Sequence, residues 1–443
     1  MTLPEAFIKR TQHLLGNEFA ELEKALDSIA PTSIRVNDKM NYPPSEEKVA
    51  WCNSGYYLSE RPLFTADPLF HAGVYYVQEA SSMFLEQAVK QHFPTAKTVL
   101  DLCAAPGGKS TLLSQALPEN SILVSNEIIR SRAYILAENL IKWGNPNIVV
   151  TNNDPKDFAS LPEFFDAVVV DAPCSGEGMF RKDPGSIQEW SENNVKLCAE
   201  RQREILSSVW DTLKTDGILA YSTCTYNREE NEENVRWMCE KLGAEVLTID
   251  LEGNTNITNS DYGYRFYPHK TKGEGFFLAV VKKTSEVSQS TRSKKDNKKT
   301  PKAITKDSIK TLRLIDAERW AIILENNLFK AYDIERLEDF FIINKKLKCM
   351  HSGMFLGELK GSDFIPSAAI ALSKKLDKSS VEVVDVDYET AIMFLRKESI
   401  FLPDAAKGYL LICYKEQALG WVKNMGNRSN NLYPQEWRIR MKI

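Results

Sequence analysis

Histidine is scarce in this sequence, five residues in 443, and none of the eight cysteines forms a Cys-x-x-Cys pair. A zinc finger or zinc knuckle is therefore excluded and no metal site is expected. No apolar run approaches the roughly 18 residues of a membrane span, so no membrane partner is expected. The opening MTLPEAFIKRTQHLLG has charges every few residues and no long apolar block, unlike a secretory signal. Widely spaced cysteines without a disulfide pattern suit reduced thiols and a cytoplasmic location. Phosphate-loop spacing is missing too: GxxxxGK[ST] needs a glycine where Cys103 stands, and no GxGxxG occurs.

What is present is a globular balance, 43% hydrophobic and 26% charged, which excludes general disorder and collagen-like or coiled-coil classes. The length allows roughly two to four domains. A net charge of -4 argues weakly against a nucleic-acid partner, but the average hides an asymmetry. Residues 1–69 carry -3, residues 70–283 carry -8 and residues 284–443 carry +7. Partners cannot be read from such a mean.

The chain divides into an N-terminal α+β extension at 1–70, a core at 71–283, a basic linker at 284–308, a first C-terminal subdomain at 309–375 and a second at 376–443. In the extension, Phe7, Leu14, Leu15, Phe19, Leu22, Leu26 and Ile29 recur at helical spacing. Ile34–Val36, then Trp51 with Tyr56–Leu58, read as short β-like pieces. In the core, short apolar runs at 98–103, 122–125, 147–150, 167–171, 218–222 and 276–281 alternate with amphipathic stretches such as Ser191–Leu213. That alternation predicts an α/β fold with a mostly parallel sheet. Val381–Val386 and Tyr409–Tyr414 read as later strands.

Residues 99–110 combine a strand, a tight turn and a helix start through Cys103, Ala104, Ala105, Pro106, Gly107, Gly108 and Lys109. Glycines let a ligand approach the backbone, and free N–H groups at a helix start suit a polar or anionic group. The second strand ends at Glu127, where a carboxylate suits two ribose hydroxyls. Asp154 follows the third strand, where a side chain accepts from an adenine amino group or forms an Asx turn. A glycine loop, an acid and an Asp at successive strand ends favour an adenosine ligand without a phosphate loop. S-adenosylmethionine (SAM) fits.

Two more strand ends carry thiols: Asp171-Ala-Pro173-Cys174 and Ser222-Thr-Cys224. A single buried cysteine is usually a small hydrophobe. A pair at matching ends fits covalent catalysis on a pyrimidine. Cytosine C5 is a poor nucleophile until a thiolate adds to C6 and makes C5 enamine-like. Asn227 followed by Glu230 reads as a capping box opening the next helix.

The segments LDLCAAPGGKS at 100–110, DAPCSGEGMF at 171–180 and YSTCTYNREENEENV at 221–235 together resemble the Nol/Nop/Sun family of RNA cytosine-C5 methyltransferases. LPEAF at 3–7, SIRVN at 33–37 and HAGVYYVQEASSM at 71–83 extend the likeness, and GWVKNMGNRSNNLYPQEWR near the end resembles a PUA-like RNA-binding tail. The resemblance implies a Rossmann-like, seven-stranded SAM methyltransferase core and a monomer acting on RNA, with 16S rRNA or the small ribosomal subunit as partner. It implies SAM contacts at Cys103 to Lys109, Glu127, Asp154 and Asp171. It also implies Cys224 as nucleophile, Cys174 in product release, Asp171 between donor and base, and Lys109 near the base. Ser110 stands where Thr is usual, and Asp157 lies one helical step from Asp154. Rival readings are the same chemistry on tRNA or another rRNA site, a non-catalytic RNA-binding assembly factor lacking one thiol, and an N-methyltransferase. The last needs an Asp/Asn-Pro-Pro-aromatic turn where this chain has Asp171-Ala-Pro-Cys174.

RNA contacts are expected in the basic regions. Residues 284–310 carry 8 Lys/Arg against 3 acids, and residues 408–443 carry 6 against 2. Trp421, Tyr433 and Trp437 lie among Lys423, Arg428, Arg438 and Arg440, a mixture suited to base stacking and phosphate contact. Arg181 and Lys182 are expected to hold flanking phosphates.

Overall fold

A computed structural model describes residues 1–39, 46–285, 314–316 and 318–441. The expected linker, apart from Thr284 and Ser285, lies outside the described residues. Among the described residues no helix is long and apolar enough to cross a membrane.

The N-terminal region opens with helices Glu5–Leu15 and Phe19–Leu26, which bury Phe7, Phe19, Leu22 and Leu26. Strands β1 (Thr32–Val36), β2 (Gly55–Leu58) and β3 (Tyr75–Val77) form a small antiparallel sheet, ordered β2-β1-β3. Its sheet thus extends to Val77.

The core is built on β4 (Thr98–Asp101), β5 (Ile122–Asn126), β6 (Ile148–Thr151), β7 (Phe165–Asp171) and β8 (Leu213–Thr223). All five are parallel, in the spatial order β8-β7-β4-β5-β6. Helices cover both faces, so the strands read as continuous apolar runs rather than alternating ones. Val99, Leu100, Val168, Val169 and Val170 are fully buried. The order reverses on either side of β4, and the crevice at the strands' carboxyl ends there is where such sheets bind ligands.

Further strands are β9 (Ala244–Leu247), β10 (Thr258–Ser260), β11 (Gly263–Phe266) and β12 (Phe276–Lys283), with β12 antiparallel to β8. After β13 (Trp320–Glu325) and β14 (Leu328–Asp333), strand β15 (Cys349–Ser352) pairs antiparallel with β6. The core sheet therefore has ten strands, not the expected seven. The β10–β11 hairpin extends one end. A strand from the C-terminal region covers the other, satisfying backbone groups that an open edge leaves unpaired. β15 reads Cys-Met-His-Ser and carries no alternating apolar pattern.

β13, β14, β16 (Met354–Lys360) and β17 (Asp363–Pro366) form a second sheet. β18 (Glu382–Asp385), β19 (Gly408–Tyr414), β20 (Gln417–Asn424) and β21 (Ser429–Asn431) form a third. Trp421 and Tyr433 are buried here, against the expectation that they stack bases. Trp421 Nε1 donates to the Ser367 carbonyl at 2.8 Å, and Tyr433 packs edge-on against Phe394. Trp421 fills the junction between the C-terminal sheets, and Tyr433 fills the core that joins the third sheet to the N-terminal region. Arg428 and Arg440 remain exposed.

Candidate active site

Gly107 makes the turn between β4 and the helix Gly108–Ala116. Its φ of +119° is a conformation that side chains resist, and an added Cβ would sit 3.4 Å from Asn139 and Leu136. Below the turn, Ser110 Oγ donates to Asp101 Oδ2 at 2.6 Å. Burial pushes the Asp101 carboxyl up to about 7, against the opposing pull of Ser110. An acid whose folded pKa lies above its unfolded value of about 3.9 binds more protons folded than unfolded. Its contribution to stability is therefore full at low pH and is lost as pH rises from about 4 through 7. Asp101→Asn does not titrate. Its stability relative to wild type is expected to rise between pH 5 and pH 8, by on the order of 1–3 kcal/mol. Thermal melts across that range check this, and a constant difference would rule it out.

A cavity of about 470 Å³ opens at the carboxyl ends of β4, β5 and β7. Cys103, Ala105, Glu127, Asp154 and Asp171 line it, as does Pro173. Ala104, Pro106, Gly107, Gly108 and Lys109 do not; they shape the loop from behind. The Ala104 N–H donates to the Asn126 carbonyl at 2.8 Å. The Pro106 carbonyl accepts from Asn139 at 2.8 Å, and the Ala105 carbonyl accepts from Arg132 at 2.8 Å. Burial pushes the Cys103 thiol up, so it stays neutral.

Glu127 Oε1 accepts from the Ile129 N–H at 2.8 Å, and Oε2 faces Arg132 at 3.4 Å. Asp154 caps the short helix Pro155–Ser160, accepting from the Lys156 N–H at 2.9 Å. Asp157 turns away from the cavity: its Oδ2 accepts from the Asp154 N–H at 3.1 Å. Sequence reasoning missed the apolar walls Ile128, Pro155 and Ile205, and the cation Arg201 on the helix Glu192–Trp210. The donor set suits a nucleoside: carboxylates for hydroxyls and an amino group, flanked by apolar walls for a ring.

Asp171 belongs to the cavity and to a second cluster beside it. Lys109 Nζ lies 2.8 Å from Asp171 Oδ2, and Ser222 Oγ donates to Oδ1 at 2.7 Å. Burial pulls the Lys109 ammonium down, but Asp171, with a smaller contribution from Cys224, more than offsets it and the net shift is upward. Adjacent parallel strands β7 and β8 bring Cys174 and Cys224 together, with their sulfurs 3.1 Å apart. Both are free thiols. The hydrogen bond to Cys224, reinforced by burial, raises the Cys174 thiol well above its ordinary value.

The helix after Cys224 begins at Glu232, not at Asn227. The Asn227 N–H is drawn instead to Glu177 Oε2 at 2.9 Å, while its side chain closes a local ring with Glu230. Arg181 is also reassigned. Its side chain is 5% exposed and pairs with Glu274 at 3.0 Å, while its NH2 donates to the Gly273 carbonyl at 2.7 Å. A guanidinium so enclosed cannot reach a phosphate. Lys182, partly exposed, lies 3.5 Å from the same carboxylate.

Three family descriptions match consecutive stretches of the chain. They are the N-terminal domain of 16S rRNA methyltransferase RsmF at residues 3–80, 16S rRNA methyltransferase RsmB/F at 91–282 and the methyltransferase RsmF PUA domain at 381–439. The ribosomal RNA small subunit methyltransferase F of Shewanella piezotolerans is 30% identical over 409 residues, covering 88% of this chain and 85% of that protein. The Escherichia coli O157:H7 protein of the same name is 31% identical over 465 residues, covering 98% and 96%. Among solved structures, a methyltransferase homolog protein from Pyrococcus horikoshii superposes with a TM-score of 0.55 at 26% identity, covering 63% of this chain and 95% of that one. NSun6 from the same organism, solved with SFG, has a TM-score of 0.54 at 21% identity, covering 64% and 99%, a likeness of fold alone. With full-length relatives at this identity and three domain descriptions in matching order, the chain belongs to the ribosomal RNA small subunit methyltransferase F family.

Proposed function

We propose that this chain is a SAM-dependent methyltransferase acting on cytosine C5 of small-subunit ribosomal RNA through a covalent Cys224 adduct. The observation that carries the reading is the contact of the two thiols, 3.1 Å apart, beside the Lys109–Asp171 pair. An N-methyltransferase has no use for a thiol pair at this position, and a non-catalytic assembly factor has no need to keep both.

Glu127, Asp154 and the Cys103–Ala105 loop would hold SAM, whose sulfonium supplies an electrophilic methyl group. Cys224 Sγ adds to C6 of the cytosine as thiolate; the S–C6 bond forms and the C5=C6 π pair shifts towards C5 and the N3 side. The Lys109–Asp171 pair, joined by Ser222, would serve the ring at N3. Once C5 carries the methyl group, Cys174 Sγ takes the C5 proton. The C–H pair re-forms C5=C6, and the C6–S pair leaves on Cys224. Bisulfite sequencing of ribosomal RNA from cells with and without this gene tests the reading. Loss of one or more protected small-subunit cytosines is expected; an unchanged pattern overturns the rRNA assignment.

The target carbon is unreachable in a stacked helix, so the base must be flipped out or single-stranded, at a cost of roughly a few kcal/mol. That energy has to come from contacts elsewhere on the RNA. Arg428 and Arg440 are exposed arginines of the C-terminal tail. Truncating residues 408–443 is a poor test, because it removes the buried Leu411, Trp421 and Tyr433. Replacing both arginines by alanine is expected to weaken RNA binding and to flatten its log-log salt slope by about 1–2. Titrations at several salt concentrations check this, and an unchanged slope removes the tail from the RNA contact.

A further inference from the structure

We propose that Glu177 is a positioning residue that clamps the two thiol loops together and keeps the Cys174 sulfur on Cys224 for the release step. This rests on the covalent reading above. Glu177 lies three residues after Cys174 and is 2% exposed. Its Oε2 accepts from Thr225 Oγ1 at 2.6 Å, the Tyr226 N–H at 2.7 Å and the Asn227 N–H at 2.9 Å. Its Oε1 accepts from Trp190 Nε1 at 3.0 Å. Among the described residues it forms no ion pair within 4.0 Å, so its burial is compensated chiefly by hydrogen-bond donors, with Arg10 as a more distant favourable charge. A buried carboxylate is tolerated only when its oxygens are so occupied, and bonds to a charged acceptor are the stronger ones.

Three of the four donors belong to the segment directly after Cys224. The two loops are joined at further points. The Gly178 N–H donates to the Cys224 carbonyl at 2.8 Å, and Ser175 Oγ meets Thr225 Oγ1 at 3.1 Å. A Cβ at Gly178 would meet the Cys224 carbonyl oxygen at 2.9 Å, so only glycine allows this approach. Glu230 closes the other side, accepting from the Ser175 N–H at 3.0 Å and from Asn227 Nδ2 at 2.7 Å. The sulfurs therefore touch because their loops are tied, not because the strands alone aim them. Release needs that contact. Cys174 takes the C5 proton while the C6–S electron pair returns to Cys224, and a displaced Cys174 leaves the adduct standing.

Glu177→Gln keeps the shape and weakens the clamp, because a neutral amide replaces the charged acceptor and loses the bonds on one of its two sides. Whichever way the amide turns, an N–H faces either Trp190 Nε1 or the three donors of 225–227. The test uses the full-length protein with small-subunit RNA and SAM. It measures steady-state turnover, single-turnover methyl transfer and the fraction of protein in a denaturant-resistant RNA adduct. Turnover is expected to fall roughly 10–100-fold, with single-turnover transfer within about threefold of wild type and adduct accumulating. Thr225→Val removes one donor and is expected to give a smaller loss of the same kind; it carries the test if E177Q does not fold. Wild-type turnover in a folded E177Q overturns the proposal. So does a loss in which methyl transfer falls in step and no adduct appears, since a merely structural role predicts that. Cys174→Ala serves as the reference. Adduct in C174A but not in E177Q or T225V overturns the clamp alone, whereas its absence from all of them overturns the covalent release reading and the clamp with it.

Discussion

Cys224→Ala is expected to lower turnover by on the order of 10⁴-fold or more, the scale seen when a covalent nucleophile is removed. Two features support the proposal that Cys224 rather than Cys174 attacks. The Cys174 proton is held by its hydrogen bond to Cys224 and by burial, which favours the neutral thiol there. A protonated Cys174 can in turn donate to a Cys224 thiolate across 3.1 Å. The Lys109 ammonium adds a favourable charge, since its own upward shift owes part of its size to Cys224. Cys224 does not line the 470 Å³ cavity, so SAM affinity measured by calorimetry is expected to stay within about twofold of wild type. Retained turnover in C224A would move the nucleophile to Cys174. Lost SAM binding would show that the substitution had disturbed the fold instead.

Cys174→Ala is expected to trap the reaction late. Turnover falls roughly 10²–10³-fold, the usual contribution of a positioned acid or base, and a protein–RNA species resistant to denaturant accumulates on a gel. The two thiols need not be activated at the same time. While Cys224 is free, its hydrogen bond is the largest cause of the raised Cys174 pKa. When the Cys224 sulfur is bonded to C6 it is a thioether, a weaker partner for the Cys174 proton, at the stage where a base is needed at C5. Alanine leaves attack and methyl transfer possible but supplies no base. Normal turnover without a shifted band would remove Cys174 from release and leave it as a packing residue.

The strand positions of the core were legible because parallel strands covered on both faces are written as plain apolar runs. β4, β5, β6, β7 and β8 fall on such runs, and so does the antiparallel β12, which is buried in the same sheet. β15 was not legible, because its pairing is set by the free edge of β6 and not by its own Cys-Met-His-Ser pattern. Arg181 and the tail aromatics show the same limit. A cation next to a motif, or a tryptophan among arginines, reads as an RNA contact until its burial is known. Glu177 stood inside a recognised motif with no role attached. An acid between two glycines shows its purpose only when the donors of a loop 48 residues away converge on it.

By itself the sequence determined the α/β class, the order of glycine loop, acids and thiols along the chain, and the family resemblance. Those are properties of local pattern, spacing and composition. Tertiary structure decided which groups meet. Crossover helices make β7 and β8 neighbours, and the bonded loops at their ends hold thiols 50 residues apart at 3.1 Å. Burial then separated side chains that touch solvent from those that hold the core. It also let two acids six residues apart do unlike work: Glu177 ties loops inside the protein, while Asp171 faces the cavity and the thiols. Proximity and desolvation depend on the whole fold, and no local pattern encodes them.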